Sequence, residues 1–291
     1  MMRTKLHLTL WLVALLLGLM GSALHARGQT SGDIGENNSI HWEYDEATKT
    51  LTISGQGYMP NFNYGLVDNV PWGRFKKAIT KVIIKNGVTS IGSGAFYELE
   101  ALVSVTFPAT GLTYIGLDAF AKCRNLILEA LPSDVTVIGF QSFLGCEKLD
   151  LHTLPESLQV IEGRAFSGCR NMTSVTLPAG ITKIDGGAFS YCENLRAITV
   201  PAQNTEYMSE DGVLFNKDKS VLMQYPLKHP RTNYDIPFGV KKIDVSAFDF
   251  SEGLTSVTIP ESVESIGFRA FFLCIYNHRT TKTNQKYPSV N

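Results

Sequence analysis

Residues Ile161–Pro178 read IEGRAFSGCRNMTSVTLP, and the same grammar returns 23 residues later as IDGGAFSYCENLRAITVP, from Ile184 to Pro201. In both, Phe follows Ala, Cys stands three residues after Phe, and an alternating apolar run closes on Pro. Phenylalanine holds its slot at Phe96, Phe120, Phe143, Phe166 and Phe189, then at Phe248 and Phe271. The steps are 24, 23, 23, 23, 59 and 23 residues. Isoleucine lies five residues before each, at Ile91, Ile115, Ile138, Ile161, Ile184, Ile243 and Ile266. Prolines form a third ladder at Pro108, Pro132, Pro155, Pro178, Pro201, Pro237 and Pro260. Such self-similarity marks a solenoid, whose units bury their apolar sides only against one another.

Each unit has a physical reading. Ser174–Leu177 alternates, with Val175 and Leu177 on one side and Ser174 and Thr176 on the other, which is the pattern of a half-buried strand. Proline ends the strand because it cannot donate to a ladder. A second extended piece places Ile181 and Ile184 inward, and Gly186-Gly187 permits a sharp turn. Ala188, Cys192 and Leu195 then fall at i, i+4 and i+7, which predicts a short helical return. The expected architecture is an α/β repeat solenoid with a parallel β-sheet, short helical returns and an N-terminal β cap.

The repeat IGxxAFxxCxNLxxVxLP resembles the BspA-like leucine-rich repeat family of bacterial surface proteins, over about Ile79 to Cys274. The resemblance implies a right-handed solenoid that is exported or displayed at the surface. It also implies adhesion to matrix proteins, other bacteria or host cells.

The flanking segments read differently. Residues 1–26 carry Arg3 and Lys5, an apolar run from about Leu6 to Met20, and small residues, the layout of a signal peptide cleaved near Ala23 or Ala26. The run is short for a membrane span of about 20 residues, and no later segment is long enough to span. The expected location is therefore secreted or cell surface, with the periplasm as an alternative. Residues 27–39 are polar and read as a flexible lead-in. Residues 40–78 read as a capping module: Ile40, Trp42 and Tyr44 alternate, DEATK turns, Leu51 and Ile53 follow, and Trp42 and Trp72 cover the first rung. The array spans 79–274 and includes an irregular 36-residue unit at about 201–237. There GVLFNKDKSVLMQYP (Gly212–Pro226) predicts a β-hairpin. Residues 275–291 break the rhythm and read as a non-repeat tail, which would leave Phe271, Phe272 and Ile275 as an uncovered edge.

The net charge is −1, and −3 once Arg3 and Lys5 are removed, with signs interspersed. That balance gives no footprint for nucleic acid. Of six histidines none sits in HExxH, and CxxC, GxSxG and phosphate-loop motifs are missing. No catalytic residue, metal or cofactor is expected. Glu129 and His152 replace inward strand residues in adjacent rungs, and a register shift that turns Leu128 and Leu151 inward accounts for both. Cys123, Cys146, Cys169, Cys192 and Cys274 share one slot, held by Leu99 and Ser251 elsewhere, so they read as buried, unreactive thiols.

The candidate ligand-facing ladder is the outward side of the strands: Ser104, Thr106, Thr153, Ser174, Thr176, Thr199, Asp235, Ser256 and Thr258. Threonine also simply suits an exposed strand. The expected role is non-catalytic recognition or adhesion, with an extracellular, host-matrix or cell-surface protein as partner. The alternative is a glycan-binding or glycan-processing accessory protein that uses Trp42, Trp72 and the hydroxyl face.

Overall fold

A computed structural model describes residues 29–62 and 70–274. The expected signal peptide and C-terminal tail lie outside the described residues. The chain winds into a solenoid of about eight turns, most of which contribute to two parallel strand ladders. The first ladder holds Lys81–Ile84, Ser104–Thr106, Ser174–Thr176, Ala197–Thr199, Asn233–Asp235 and Ser256–Thr258. The second holds Val88–Ile91, Tyr114–Ile115, Val137–Ile138, Val160–Ile161, Lys183–Ile184, Lys242–Ile243 and Ser265–Ile266. Registers follow the repeat: Val137 pairs with Val160, Val160 with Lys183, and Thr176 with Thr199.

Between the ladders lies a stack of side chains that sequence spacing placed there. Phe96, Phe120, Phe143, Phe166 and Phe189 are buried and stack face to face, with ring centroids 5.1, 5.4, 5.5 and 5.5 Å apart. In four rungs the residue after the ladder isoleucine is a glycine (Gly92, Gly116, Gly139 and Gly267) with neighbouring backbone too close for a Cβ, whereas Glu162, Asp185 and Asp244 hold the slot elsewhere. A Cβ at Gly139 would lie 2.8 Å from backbone atoms of Gly116 and Ile115.

The returns are not helical. Each return places one left-handed residue two positions before the ladder Phe and another two after it. Asp118 and Lys122 have φ of 51° and 62°, Gln141 and Gly145 54° and 68°, and Arg164 and Gly168 56° and 76°. A left-handed residue every fourth position stops an α-helix before one turn completes. The freed N–H groups bond to the next rung instead: Asp118 N–H to Phe140 O (2.9 Å), Phe120 N–H to Ser142 O (2.8 Å) and Lys122 N–H to Leu144 O (2.6 Å). Ala188, Cys192 and Leu195 are buried as their spacing required. Successive turns produce the burial pattern that was read as a helix face.

The N-terminal module is a three-stranded antiparallel sheet, β1 (Ser31–Ile34), β2 (Ile40–Asp45) and β3 (Thr50–Gly55). β3 continues into the first ladder by parallel pairing with Lys81–Ile84. Trp42 meets Trp72 edge-on at 6.0 Å, and Trp72 stacks on Phe96 at 6.0 Å, so the two indoles close the aromatic stack. The segment read as a flexible lead-in contains β1 instead. Gly32 lies opposite Trp42, where a Cβ would come within 3.0 Å of the indole nitrogen, and its bare backbone lets this polar stretch lie flat on the cap.

The irregular unit contains the expected hairpin, Val213–Asn216 with Val221–Gln224, and a third antiparallel strand, Tyr207–Glu210. It also supplies the aromatic rung that the sequence pattern hid. Tyr225 stacks on Phe248 at 5.2 Å, and its N–H bonds to Ala247 O (2.8 Å), as Phe166 N–H does to Ala188 O (2.8 Å).

Candidate functional site

The strands of the first ladder aim alternate side chains outward, and Thr106, Thr153, Thr176, Thr199, Asp235 and Thr258 are exposed. Ser104, Ser174 and Ser256 are half-buried on the same side. The structure divides this row into three groups rather than one. Ser104 and Thr106 stand next to a rung without a strand. Thr153, Ser174, Thr176 and Thr199 are contiguous through the Thr153–Thr176 bridge and the Thr176–Thr199 pair. Asp235, Ser256 and Thr258 form a separate two-stranded piece, with Asp235 paired to Thr258.

Both interruptions have physical causes. In the rungs of Leu128 and Leu151, the inward pairs are Leu128 with Leu131 and Leu151 with Leu154, each three positions from its partner with two residues between. A β-strand alternates, so two consecutive outward residues break the pleat; Glu129-Ala130 and His152-Thr153 are exposed there. The polar residues Glu129 and His152 thus reflect the shift that turns the leucines inward. Beyond strand Ala197–Thr199 the turn of the irregular unit takes the next place, with Ile198 N–H bonded to Gly212 O (2.9 Å) and Val200 N–H to Ser209 Oγ (3.0 Å).

Hydrogen bonding separates this row from other threonines. At the start of the strands, Thr113, Thr136 and Thr182 donate to the carbonyls of Thr89 (3.3 Å), Thr113 (3.1 Å) and Gln159 (3.2 Å) in the preceding rung. Thr80 and Thr255 do the same. The hydroxyls of Thr153, Thr176 and Thr199 make no side-chain hydrogen bond to the described residues. They remain available to a ligand, at a rung spacing of about 4.8 Å. Ser174 Oγ is engaged by His152 Nδ1 (3.3 Å), and Ser256 Oγ donates to Asn233 Oδ1 (2.8 Å).

An alternating charged row flanks this face. Arg124 and Arg170 both reach Glu147 (3.9 and 3.6 Å), and Arg170 also reaches Glu193 (2.9 Å). At the opposite end, Glu43, Thr50, Thr52, Lys81 and Ile83 line an open groove of about 1110 Å³ over the cap sheet. Thr52 pairs with Ile83 and Ile83 with Thr106, so this groove continues the same outward side. Reading the cap as purely structural concealed it.

Among the described residues, the candidate reactive groups lie in settings that do not activate them. His152 has Asp150 Oδ2 at 3.4 Å and Ser174 Oγ at 3.3 Å, the order of a charge relay. The His152 and Asp150 side chains are 59% and 38% exposed, however, without the water exclusion that such catalysis uses. All five cysteines are free and buried. Each Sγ–H points at the carbonyl of the preceding rung's Phe: Cys123 at Phe96 (3.1 Å), Cys146 at Phe120 (3.1 Å), Cys169 at Phe143 (3.4 Å), Cys192 at Phe166 (3.2 Å) and Cys274 at Phe248. Burial pushes the thiols of Cys123 and Cys192 up to about 12, and those of Cys146 and Cys169 higher than the ordinary range. Thiolate, the reactive form, is suppressed. No group of three or more His, Cys, Asp or Glu among the described residues is arranged for a metal. Trp42 and Trp72 are 3% and 0% exposed, so neither offers a face to a sugar.

The family model for the BspA type leucine rich repeat region matches residues 74–196 and 228–289 in six copies. The chain belongs to this family. The gap in the match, 197–227, covers most of the irregular unit. A leucine-rich repeat protein from Eubacterium ventriosum is similar in structure, with a TM-score of 0.72 and 30% identity. The match covers 84% of this chain and 64% of that one, so the chain spans less than two thirds of that relative's length. A leucine-rich cell surface protein from Faecalibacterium prausnitzii gives a TM-score of 0.59 at 29% identity, covering 83% of this chain and 73% of that one. The pneumococcal vaccine antigen PcpA shares the fold, with a TM-score of 0.67 at 21% identity over 86% of this chain and 70% of that one. Among curated proteins, none is significantly similar. No helix among the described residues is long and apolar enough to cross a membrane.

Proposed function

We propose that this protein is a non-catalytic, exported recognition or adhesion protein that engages an extracellular, host-matrix or cell-surface protein. The contact surface is the outward side of the first ladder, centred on Thr153, Thr176 and Thr199. The observation that carries this reading is their unengaged hydroxyl row, set in register by the Thr153–Thr176 bridge and the Thr176–Thr199 pair. Membership of the BspA-type repeat family, and a cell surface protein among its structural relatives, support the setting. Repeat proteins commonly bind through extended regular surfaces. With Trp42 and Trp72 buried, the glycan alternative keeps the hydroxyl face but loses the two aromatic platforms that also motivated it.

The test is a binding panel of matrix proteins and bacterial surfaces. It compares the parent with a Thr153→Val, Thr176→Val, Thr199→Val variant, which keeps β-branched side chains and removes the hydroxyls. The expected result is saturable binding by the parent and at least tenfold weaker binding by the variant, with an unchanged circular dichroism spectrum. Equal affinity of the two proteins sinks the assignment of the surface; no saturable parent binding sinks the function.

A further inference from the structure

We propose that the solenoid is built as two separately cooperative blocks, divided by the irregular unit, and that the C-terminal block opens as one body. Every inter-rung device breaks at the same place. The aromatic stack runs from Trp72 to Phe189 and resumes from Tyr225 to Phe271, with no ring contact between Phe189 and Tyr225 among the described residues. In the first ladder, Ala197–Thr199 and Asn233–Asp235 belong to different sheets; in the second, Lys183–Ile184 and Val221–Gln224 do. The return ladder stops too: Phe166 N–H and Gly168 N–H bond to the next rung, whereas Phe189 and Tyr191 have no such backbone bond among the described residues.

The buried apolar residues separate accordingly into two clusters, one of residues from Ile40 to Ile198 together with Tyr207, Leu214 and Met223, and one of residues between Val213 and Cys274. The hairpin is the partition between them. Leu214 and Met223 pack into the N-terminal core, while their neighbours Val213, Phe215 and Leu222 pack into the C-terminal one. Period-two alternation gives this sheet two apolar faces, one for each block.

The seam is also poorly satisfied. Gln224 Oε1, Asp249 Oδ1 and Arg269 Nε are buried without a hydrogen-bond partner among the described residues. Gln224 lines a void of about 10 Å³ with Asp185, Asp244 and Met223. Contacts that cross the seam are isolated ones rather than a ladder: Ile198 N–H to Gly212 O (2.9 Å), Lys228 N–H to Leu195 O (2.8 Å), Ile184 N–H to Tyr207 Oη (2.9 Å), Arg269 Nη2 to Tyr191 Oη (3.3 Å), and Tyr191 against Phe250 at 4.1 Å. In a stack of repeats, stability is the sum of unit and neighbour terms, so the weakest neighbour term sets where cooperativity divides.

Hydrogen exchange of the intact chain in graded denaturant, read by mass spectrometry of peptides, tests this. Amides of 233–274 are expected to lose protection together, at a denaturant concentration where amides of 91–189 keep at least tenfold slower exchange. Phe248→Leu is expected to move only the first transition and Phe143→Leu only the second. Both are conservative enough to fold. A single transition that both variants shift equally in all peptides overturns the proposal.

Discussion

Replacing Asp249 by Asn tests the electrostatics of the seam. Asp249 is 1% exposed, and its Oδ1 has no partner among the described residues. Burial raises its carboxyl from 3.8 to about 6, against the opposing pull of Arg269 and Arg164. That rise corresponds to roughly 3 kcal/mol of preference for the neutral form. The sign follows from proton binding. Between pH 3.8 and about 6 the folded chain holds more protons at this site than the unfolded chain. Stability therefore falls as pH rises through that window and is level above it. Asn cannot ionise, and its amide reaches the same neighbours. We expect Asp249→Asn to match the parent within about 0.5 kcal/mol at pH 4, where both side chains are neutral, and to exceed it by ~1–3 kcal/mol at pH 7.5. Urea unfolding at the two pH values, followed by exchange protection of 233–274, measures this. A variant that is less stable than the parent at pH 7.5, or offset equally at both pH values, would refute the reasoning.

Three further outcomes are expected. Phe143→Ala removes a fully buried ring stacked on Phe120 and Phe166, and should lower stability by about 3–5 kcal/mol in denaturant unfolding. An effect under 1 kcal/mol would mean that the rungs close over the loss. Gly139→Ala places a Cβ against backbone of the preceding rung, which cannot swing aside, so the melting temperature should drop by several degrees; an unchanged melting temperature would count against the tight rung spacing. Cys123, Cys146, Cys169, Cys192 and Cys274 should resist Ellman's reagent in the native protein and titrate as five thiols after denaturation. Immediate native labelling would contradict their burial.

The repeat was legible because its constraint is local and recurs. A slot that must hold Phe, Ile, Pro or a small buried residue repeats its demand every rung, and Trp42, Leu128, Leu151 and Cys169 all sit where that logic put them. Helical returns were not legible as wrong, since a helix and a pair of turns with left-handed residues bury the same i, i+4, i+7 positions. What decides between them is where the N–H groups go, to their own chain segment or to the next rung.

The site was only half readable for the same reason. The sequence by itself determined which residues face outward, because alternation within a strand fixes that. It also determined the solenoid, the cap and the buried cysteines. Only the tertiary structure decided which hydroxyls remain unengaged: Thr136 and Thr176 are both threonines on one solenoid, and a carbonyl of the preceding rung engages the first and leaves the second. The tertiary structure also decided that Tyr225 restarts the aromatic ladder on the far side of the irregular unit and that the core divides there. Both depend on residues brought together from different rungs, and spacing along one chain does not encode contacts of that kind.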